Sequence, residues 1–294
     1  MDLNISVAMT FAEGGMVMAY WKAQEKKISI FEQTILLCES NPALLDKVMR
    51  ARENSVLYPA QEGKEGQWKR EQRVTDIVVT EHRALEAVRN WKMQYPDSKV
   101  GVLNFAAPMH PGGDVIRGSD TQEAGICRCS TLYPCLHTER WMQQYYGENR
   151  RMPEAGYGNS CIYIPDVIGV RQDAEFPVLL PEQEWYAFDV ISCAAGKVGV
   201  YNKKSEGDCR RGQTESAQLE RQIEMILQIA ARQQIDILVL GAFGCGRAGN
   251  EPEMVARTFK KALNAHCHTF RAIEFAIYSS KEKNMNYDIF SAVL

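Results

Sequence analysis

An α/β fold, with a largely parallel or mixed sheet and helices on both faces, is the fold class this chain predicts. Three observations carry that expectation. Strand-like and helix-like stretches alternate through roughly the last two hundred residues. Ile235–Leu240 is a continuous apolar run of the kind buried on both faces of a parallel sheet. Val100–Phe105 and Ile235–Leu240 each pass into a glycine-containing loop and then into a helix. Such a passage lets bare backbone approach a ligand and turns the unpaired N–H groups of a helix start toward an anion.

Taken in order, Met1–Tyr20 is apolar, Met-rich and interrupted by Gly14-Gly15, and is expected to be a loose arm or an overextended start. Ile30–Glu39 reads as a helix from Phe31, Ile35 and Leu36 at helical spacing. Pro42–Arg52 reads as a second, with Asn41 as cap, Pro42 in the first turn and a stripe of Leu44, Leu45 and Val48. Gln61–Gln72 is charged and polar with two glycines, a loop pattern. Thr75–Thr80 predicts a strand, and a helix is expected from Thr80 or Glu81 to Gln94 with Ala84, Leu85, Ala87 and Val88 inward. Pro96-Asp97-Ser98 then turns the chain into Val100–Phe105.

After the first glycine loop, a helix is expected to carry Gln122, Glu123, Cys127 and Arg128. His137–Asn149 is mixed aromatic and polar, and Arg150–Asn159 reads as a loop. Ser160–Pro165 predicts a strand, with Val167–Val170 as a candidate hairpin partner. Tyr186–Ala195 is a strong strand, and Gly196–Gly212 a polar, basic loop. Glu215–Gln234 is amphipathic, with Leu219, Ile223, Ile226, Leu227 and Ala230 on one face. A helix over Glu251–His266, a strand over Ala272–Tyr278 and a short helix over Asn286–Val293 complete the pattern.

The totals narrow the function classes. At 294 residues the chain is long enough for one large α/β domain or two small ones. A net charge of −3 speaks against a general grip on nucleic acid, so a polyanion would be held by local groups such as helix N-termini and a few arginines. No basic-then-apolar leader pattern and no apolar run of bilayer length is visible, so a cytoplasmic chain without a membrane partner is expected. The nine cysteines are then read as free thiols.

The second loop, GAFGCGRAGNEPE from Gly241, has glycines for close approach, Asn250 as a candidate cap and Pro252 for the first helical turn. It lacks the Gly-Lys-Ser/Thr of a triphosphate loop, and its glycine spacing is not that of the dinucleotide fingerprint. A plain strand-to-helix turn explains it equally well on these grounds alone. Cys127, Cys129, Cys135 and His137 form a C-x-C-x5-C-x-H set that could hold zinc, although the spacing is not the common one; buried small hydrophobes are the plainer reading.

Several motifs in order carry a resemblance. Pro111-Gly112-Gly113, then Gln122-Glu123, then CRCSTLYPCL from Cys127, resembles the signature loop of the microbial-type poly(ADP-ribose) glycohydrolases, which have a macrodomain fold. GAFGCG followed by Gly249-Asn250 and Pro252 is similar to that family's diphosphate-binding loop. The resemblance runs from about Trp21 to Leu294. It implies a macrodomain-like ADP-ribose-binding domain at 73–294, a helical extension at 21–72 and an unmatched arm at 1–20. It further implies ligand contacts from Asn104, Gly112, Gly113, Gln122, Glu123, Gly241, Ala242, Phe243, Gly244, Cys245, Gly246 and Arg247, with ADP-ribose or an ADP-ribosylated substrate as partner and no cofactor or metal.

Three positions depart from the family pattern. Asp114 replaces the third glycine of Gly-Gly-Gly, Ala124 stands where Gln-Glu-Glu has its second, catalytic glutamate, and Ala248 stands where a phenylalanine usually packs on the ribose. Glycoside cleavage needs a proton donor at the leaving oxygen, and alanine has none. The resemblance therefore implies an ADP-ribose-binding protein in which hydrolysis is lost or weakened. The alternatives are a hydrolase with its acid or base relocated to Asp114 or Glu123, and a zinc- or nucleotide-binding scaffold.

Overall fold

The computed structural model describes residues 3–59, 74–151, 160–196 and 208–294, with side chains within 21–59, 74–151, 160–196 and 217–294. The chain opens with two helices, α1 (Leu3–Ser40) and α2 (Pro42–Glu53), and strands β1 (Val56–Pro59) and β2 (Asp76–Thr80). Helix α3 (Ala84–Gln94) leads to β3 (Val100–Phe105). Four short helices follow: α4 (Gln122–Cys129), α5 (Leu132–Leu136), α6 (Glu139–Gln144) and α7 (Tyr146–Arg151). Then come β4 (Ser160–Gly169), β5 (Tyr186–Cys193), α8 (Asp208–Arg232), β6 (Ile237–Leu240), α9 (Pro252–Ala265), β7 (Ala272–Ala276) and α10 (Met285–Val293).

The strands form one seven-stranded sheet in the order β1-β4-β5-β3-β6-β7-β2. β5, β3, β6, β7 and β2 run parallel, while β4 is antiparallel to both β1 and β5. The period-2 alternation of a strand explains how both faces are filled. On β3, Val100 and Val102 join one core layer with Phe31, Leu85, Val88 and Trp141, which brings α1 to α7 onto that face. Leu103 faces the other way, into a layer with Ile223, Leu227, Phe259 and Phe290 from α8, α9 and α10. The mixed sheet flanked on both faces is the fold class the sequence predicts.

Several boundaries differ from expectation. The first helix is continuous from Leu3 to Ser40, so the backbone of Leu3–Tyr20 is helical. β1, from within 21–72, pairs with β4 and is thereby the outermost strand of the sheet. Helix α3 begins at Ala84 rather than Thr80 or Glu81. Arg83 is still extended (φ −72°, ψ 158°), and its N–H is taken by Glu86 Oε2 at 3.1 Å. Val167–Gly169 is no hairpin partner: it continues β4 past a register shift at Ile164/Val167, where Asp166 takes a positive φ of 53°. Arg150 and Arg151 close α7, and Asp208–Gly212 belongs to α8. The remainder of those two expected loops, and the loop at Gln61–Gln72, lie outside the described residues. Among the described residues no helix is long and apolar enough to cross a membrane.

Helix α1 does more than cover the sheet. Lys27, only 5% exposed, reaches Asp120 at 2.6 Å, and Thr34 Oγ1 donates to the Arg128 carbonyl at 2.8 Å. Gly118 (φ +72°) lies so close to α1 that an added Cβ would sit 2.8 Å from the Gln24 carbonyl oxygen. Any other residue there would both strain the backbone and push α1 away.

Candidate functional site

The site forms where β3 and β6 part. Their pairing ends at Val102↔Val239, whereas β3 and β5 stay paired through Phe105↔Cys193. Beyond Val102, β3 would therefore present unpaired backbone groups toward β6. The Gln122 side chain satisfies them: its Oε1 accepts from Phe105 N–H at 2.9 Å and its Nε2 donates to the Leu103 carbonyl at 2.8 Å. The crevice left between the two strand ends is the usual ligand position in an open α/β sheet. Here it opens into a cavity of about 430 Å³.

The first loop is shaped from within by Glu123. Its carboxyl is completely buried and accepts from Ala107 N–H (2.7 Å), Gly112 N–H (3.1 Å) and Asn104 Nδ2 (3.3 Å). Burial, the largest influence, pushes this carboxyl up to about 7, against the hydrogen bonds, which favour its anion. Thr121 caps α4 by accepting from Ala124 N–H and ties back to the Gly113 carbonyl at 2.9 Å. Gly112 (φ +89°) passes so near Tyr133 that a Cβ would lie 2.8 Å from its ring. On its outer side the loop is held by Asn149, donating to the Pro108 carbonyl at 3.0 Å, and by Arg150, donating to the Met109 carbonyl at 2.5 Å.

The second loop follows β6. Phe243 is fully buried and packs edge-on against Phe105, with ring centroids 5.7 Å apart, so it anchors the loop to β3. Asn250 does not cap α9. Its N–H donates to the Gly244 carbonyl, closing the loop on itself, and its Nδ2 donates to the Gly196 carbonyl, tying the loop to the segment after β5. Glu251 caps instead, accepting from Glu253 N–H and Met254 N–H. The Cys245 thiol is pushed up to about 12, chiefly by burial, which disfavours a thiolate nucleophile.

Of the residues expected to touch a ligand, Gly113, Gln122, Glu123, Gly244, Gly246 and Arg247 line the cavity, and so do Asp114 and Ala248. Gly112, Asn104, Gly241, Ala242, Phe243 and Cys245 are not on its wall; Asn104 and Phe243 lie beneath it as supports. Ala124 is fully buried in the core layer with Val115, Ile126 and Cys127. Asp114, in the left-handed region at φ 64°, faces Arg247 across the opening, with Nη1 3.4 Å from Oδ2. The sequence reading missed Ala107, Met109 and His110 on the wall and the loop clamp from Asn149 and Arg150. The clamp residues lie 41 positions from the carbonyls they hold, and no local pattern marks them. Cys127, Cys129 and Cys135 are each buried among apolar neighbours. Among the described residues no three His, Cys, Asp or Glu side chains converge to hold a metal, so the zinc set of the sequence is not assembled.

Comparisons with known proteins place this geometry. The model of the microbial-type PARG catalytic domain, the poly(ADP-ribose) glycohydrolase catalytic domain, matches residues 14–172, more than half of the chain. The structure is similar to poly(ADP-ribose) glycohydrolase from Thermomonospora curvata, with 27% identity and a TM-score of 0.78 over 92% of this chain and 100% of that one. The same enzyme bound to the inhibitor ADP-HPD matches at 26% identity, TM-score 0.76, over 92% and 100%. Poly(ADP-ribose) glycohydrolase from Deinococcus radiodurans in complex with ADP-ribose matches at 28% identity, TM-score 0.72, over 84% and 96%. No curated protein sequence matches the chain significantly.

Proposed function

Because the chain belongs to the microbial-type poly(ADP-ribose) glycohydrolase family, we propose that it binds ADP-ribose, free or attached to a target, in the cavity between its two glycine loops. The observation that carries the reading is the cavity itself, bounded by loop backbone from the ends of β3 and β6 and by Glu123. The Deinococcus relative is solved with ADP-ribose, which supports the ligand class. In this reading the family's hydrolysis is lost or much weakened. The wall offers two carboxylates, and both are engaged: Asp114 with Arg247, and Glu123 with three donors that hold the loop. Losing a general acid removes on the order of 10²–10⁴-fold in rate.

A second reading rests on one specific observation. The Glu123 carboxyl, raised to about 7, is part-protonated near neutral pH and is suited to donate a proton. Glu123 then acts as a relocated general acid, and the protein is an ADP-ribosyl hydrolase. Calorimetric titration with ADP-ribose tests the binding both readings share. Release of ADP-ribose from poly(ADP-ribose), compared between wild type and Ala124→Glu, separates them. A large gain over a near-zero wild type supports the lost acid. Measurable wild-type turnover that Ala124→Glu leaves unchanged, and that Glu123→Gln abolishes, supports the relocated one.

A further inference from the structure

We propose that Asp114 and Arg247 form a charge-exchange gate: Arg247 is the cation that grips an entering diphosphate, and Asp114 is the internal anion it must release to do so. The inference rests on the diphosphate-containing ligand of the reading above and assigns these two residues a part in selecting it.

The geometry has three parts. First, the pair joins the two loops across the opening, one partner from each, and both side chains are on the cavity wall. The pair and Glu123 line the same cavity. Second, the contact is weak by construction. It is a single Nη1–Oδ2 approach at 3.4 Å, and the Arg247 side chain is 74% exposed. Exposed one-point ion pairs contribute little, while arginine with two phosphate oxygens makes charge-assisted, bidentate hydrogen bonds. A diphosphate therefore outcompetes the carboxylate. Third, Asp114 stays where it is when Arg247 leaves. Its carbonyl accepts from Arg117 N–H at 2.9 Å, its backbone holds the left-handed conformation, and His110 Nε2 stands 3.8 Å from its other carboxyl oxygen. His110 is thus in place to remain beside the carboxylate as the guanidinium departs.

The cavity is also polarised. The wall residues from the second loop, Gly244, Gly246, Arg247 and Ala248, include one cation and no carboxylate, whereas Asp114 and Glu123 lie on the side of the first loop and α4. Anionic groups are drawn to the first of these sides, and hydroxyl groups, which can donate to a carboxylate, to the second.

The test is a double-mutant cycle read by calorimetry, using ADP-ribose and, separately, inorganic pyrophosphate as probes. Asn tolerates the left-handed backbone as Asp does, so D114N preserves the loop. D114N is expected to tighten both probes about fivefold, the scale of an exposed ion pair. R247A is expected to weaken both about tenfold, the scale of one charge-assisted contact, with partial recovery in R247K. The double variant should bind like R247A, because there is no cation left to release. Equal tightening by D114N with and without Arg247 would reduce Asp114 to simple repulsion and overturn the gate, as would unchanged affinity in D114N. The outcomes also separate the two proposals. ADP-ribose binding with no D114N effect leaves the proposed function standing and sinks the gate. The predicted cycle with pyrophosphate alone, without ADP-ribose binding, sinks the proposed function and keeps the gate. Absence of pyrophosphate binding in all four proteins overturns the gate.

Discussion

At Glu123, desolvation and hydrogen bonding pull one carboxyl in opposite directions. Burial raises it to about 7 despite three donors that favour the anion. The folded protein therefore binds this proton more tightly than the unfolded chain does. Its contribution to stability is fully present below the ordinary carboxylate value of 4.5 and is lost as pH rises through about 7. The size is roughly 3 kcal/mol. Urea denaturation at several pH values should show wild type losing stability relative to Glu123→Gln between about pH 4.5 and 7; a parallel course of the two proteins would contradict the shift. The sequence pointed to Gln122 and Glu123 and both line the cavity, but their structural work was not legible. The glutamine completes the β3 ladder, and that role exists only because β6 diverges after Val239. Asn149 and Arg150 were invisible for the same reason: their partners are backbone carbonyls brought near by the fold.

At the scale of elements, α1 packs as one unit with α4 and the loop leading into it: Lys27 and Gln24 meet the loop at Asp120 and Gly118, and Thr34 meets α4 at Arg128. Thr34 accepts from the buried Arg171 guanidinium at 2.8 Å and donates to the Arg128 carbonyl. Thr34→Val leaves that guanidinium short of an acceptor and should cost about 2 kcal/mol in denaturant unfolding. A variant as stable as wild type would mean that Arg171 finds another partner. At the other loop, Glu251→Ala removes the α9 cap and should cost about 1 kcal/mol, whereas Asn250→Ala keeps the backbone bond to Gly244 but removes the Nδ2 bond to the Gly196 carbonyl, and should loosen the loop from the end of β5 and lower ligand affinity. Thermal melts beside calorimetry distinguish the two. Asn250 as cap was a fair sequence expectation, because Asn commonly caps; the two carbonyls it donates to in the folded protein, those of Gly244 and Gly196, are not written in local sequence. The bulge at Asp166 misled in the same way. Pro165-Asp166 looks like a turn, yet β4 continues because β5 pairs with it on both sides of the irregularity.

For the whole molecule, the alternation of strands and helices and the two buried faces of β6 were readable, since they follow from periodicity and composition. Strand order was not, because it depends on which distant segments meet. A ligand that binds only the folded state should raise the melting temperature. ADP-ribose at a hundred times its Kd adds about 2.7 kcal/mol, or about 5–10 °C for a chain of this size. No shift at millimolar ADP-ribose would argue against the cavity as its site.

The order β5-β3-β6 has a further consequence, for synthesis. Strand β3 emerges early, but its neighbours on either side are residues 186–193 and 237–240. Until the ribosome has delivered both, the nascent chain carries VGVLNF, an uncharged, proline-free segment, with open hydrogen-bonding edges. Such an edge recruits other chains. A message cut short before residue 237 should therefore yield insoluble aggregate rather than a half-active fragment, and the cell's demand for chaperones on this protein should be set by how slowly its final third is translated.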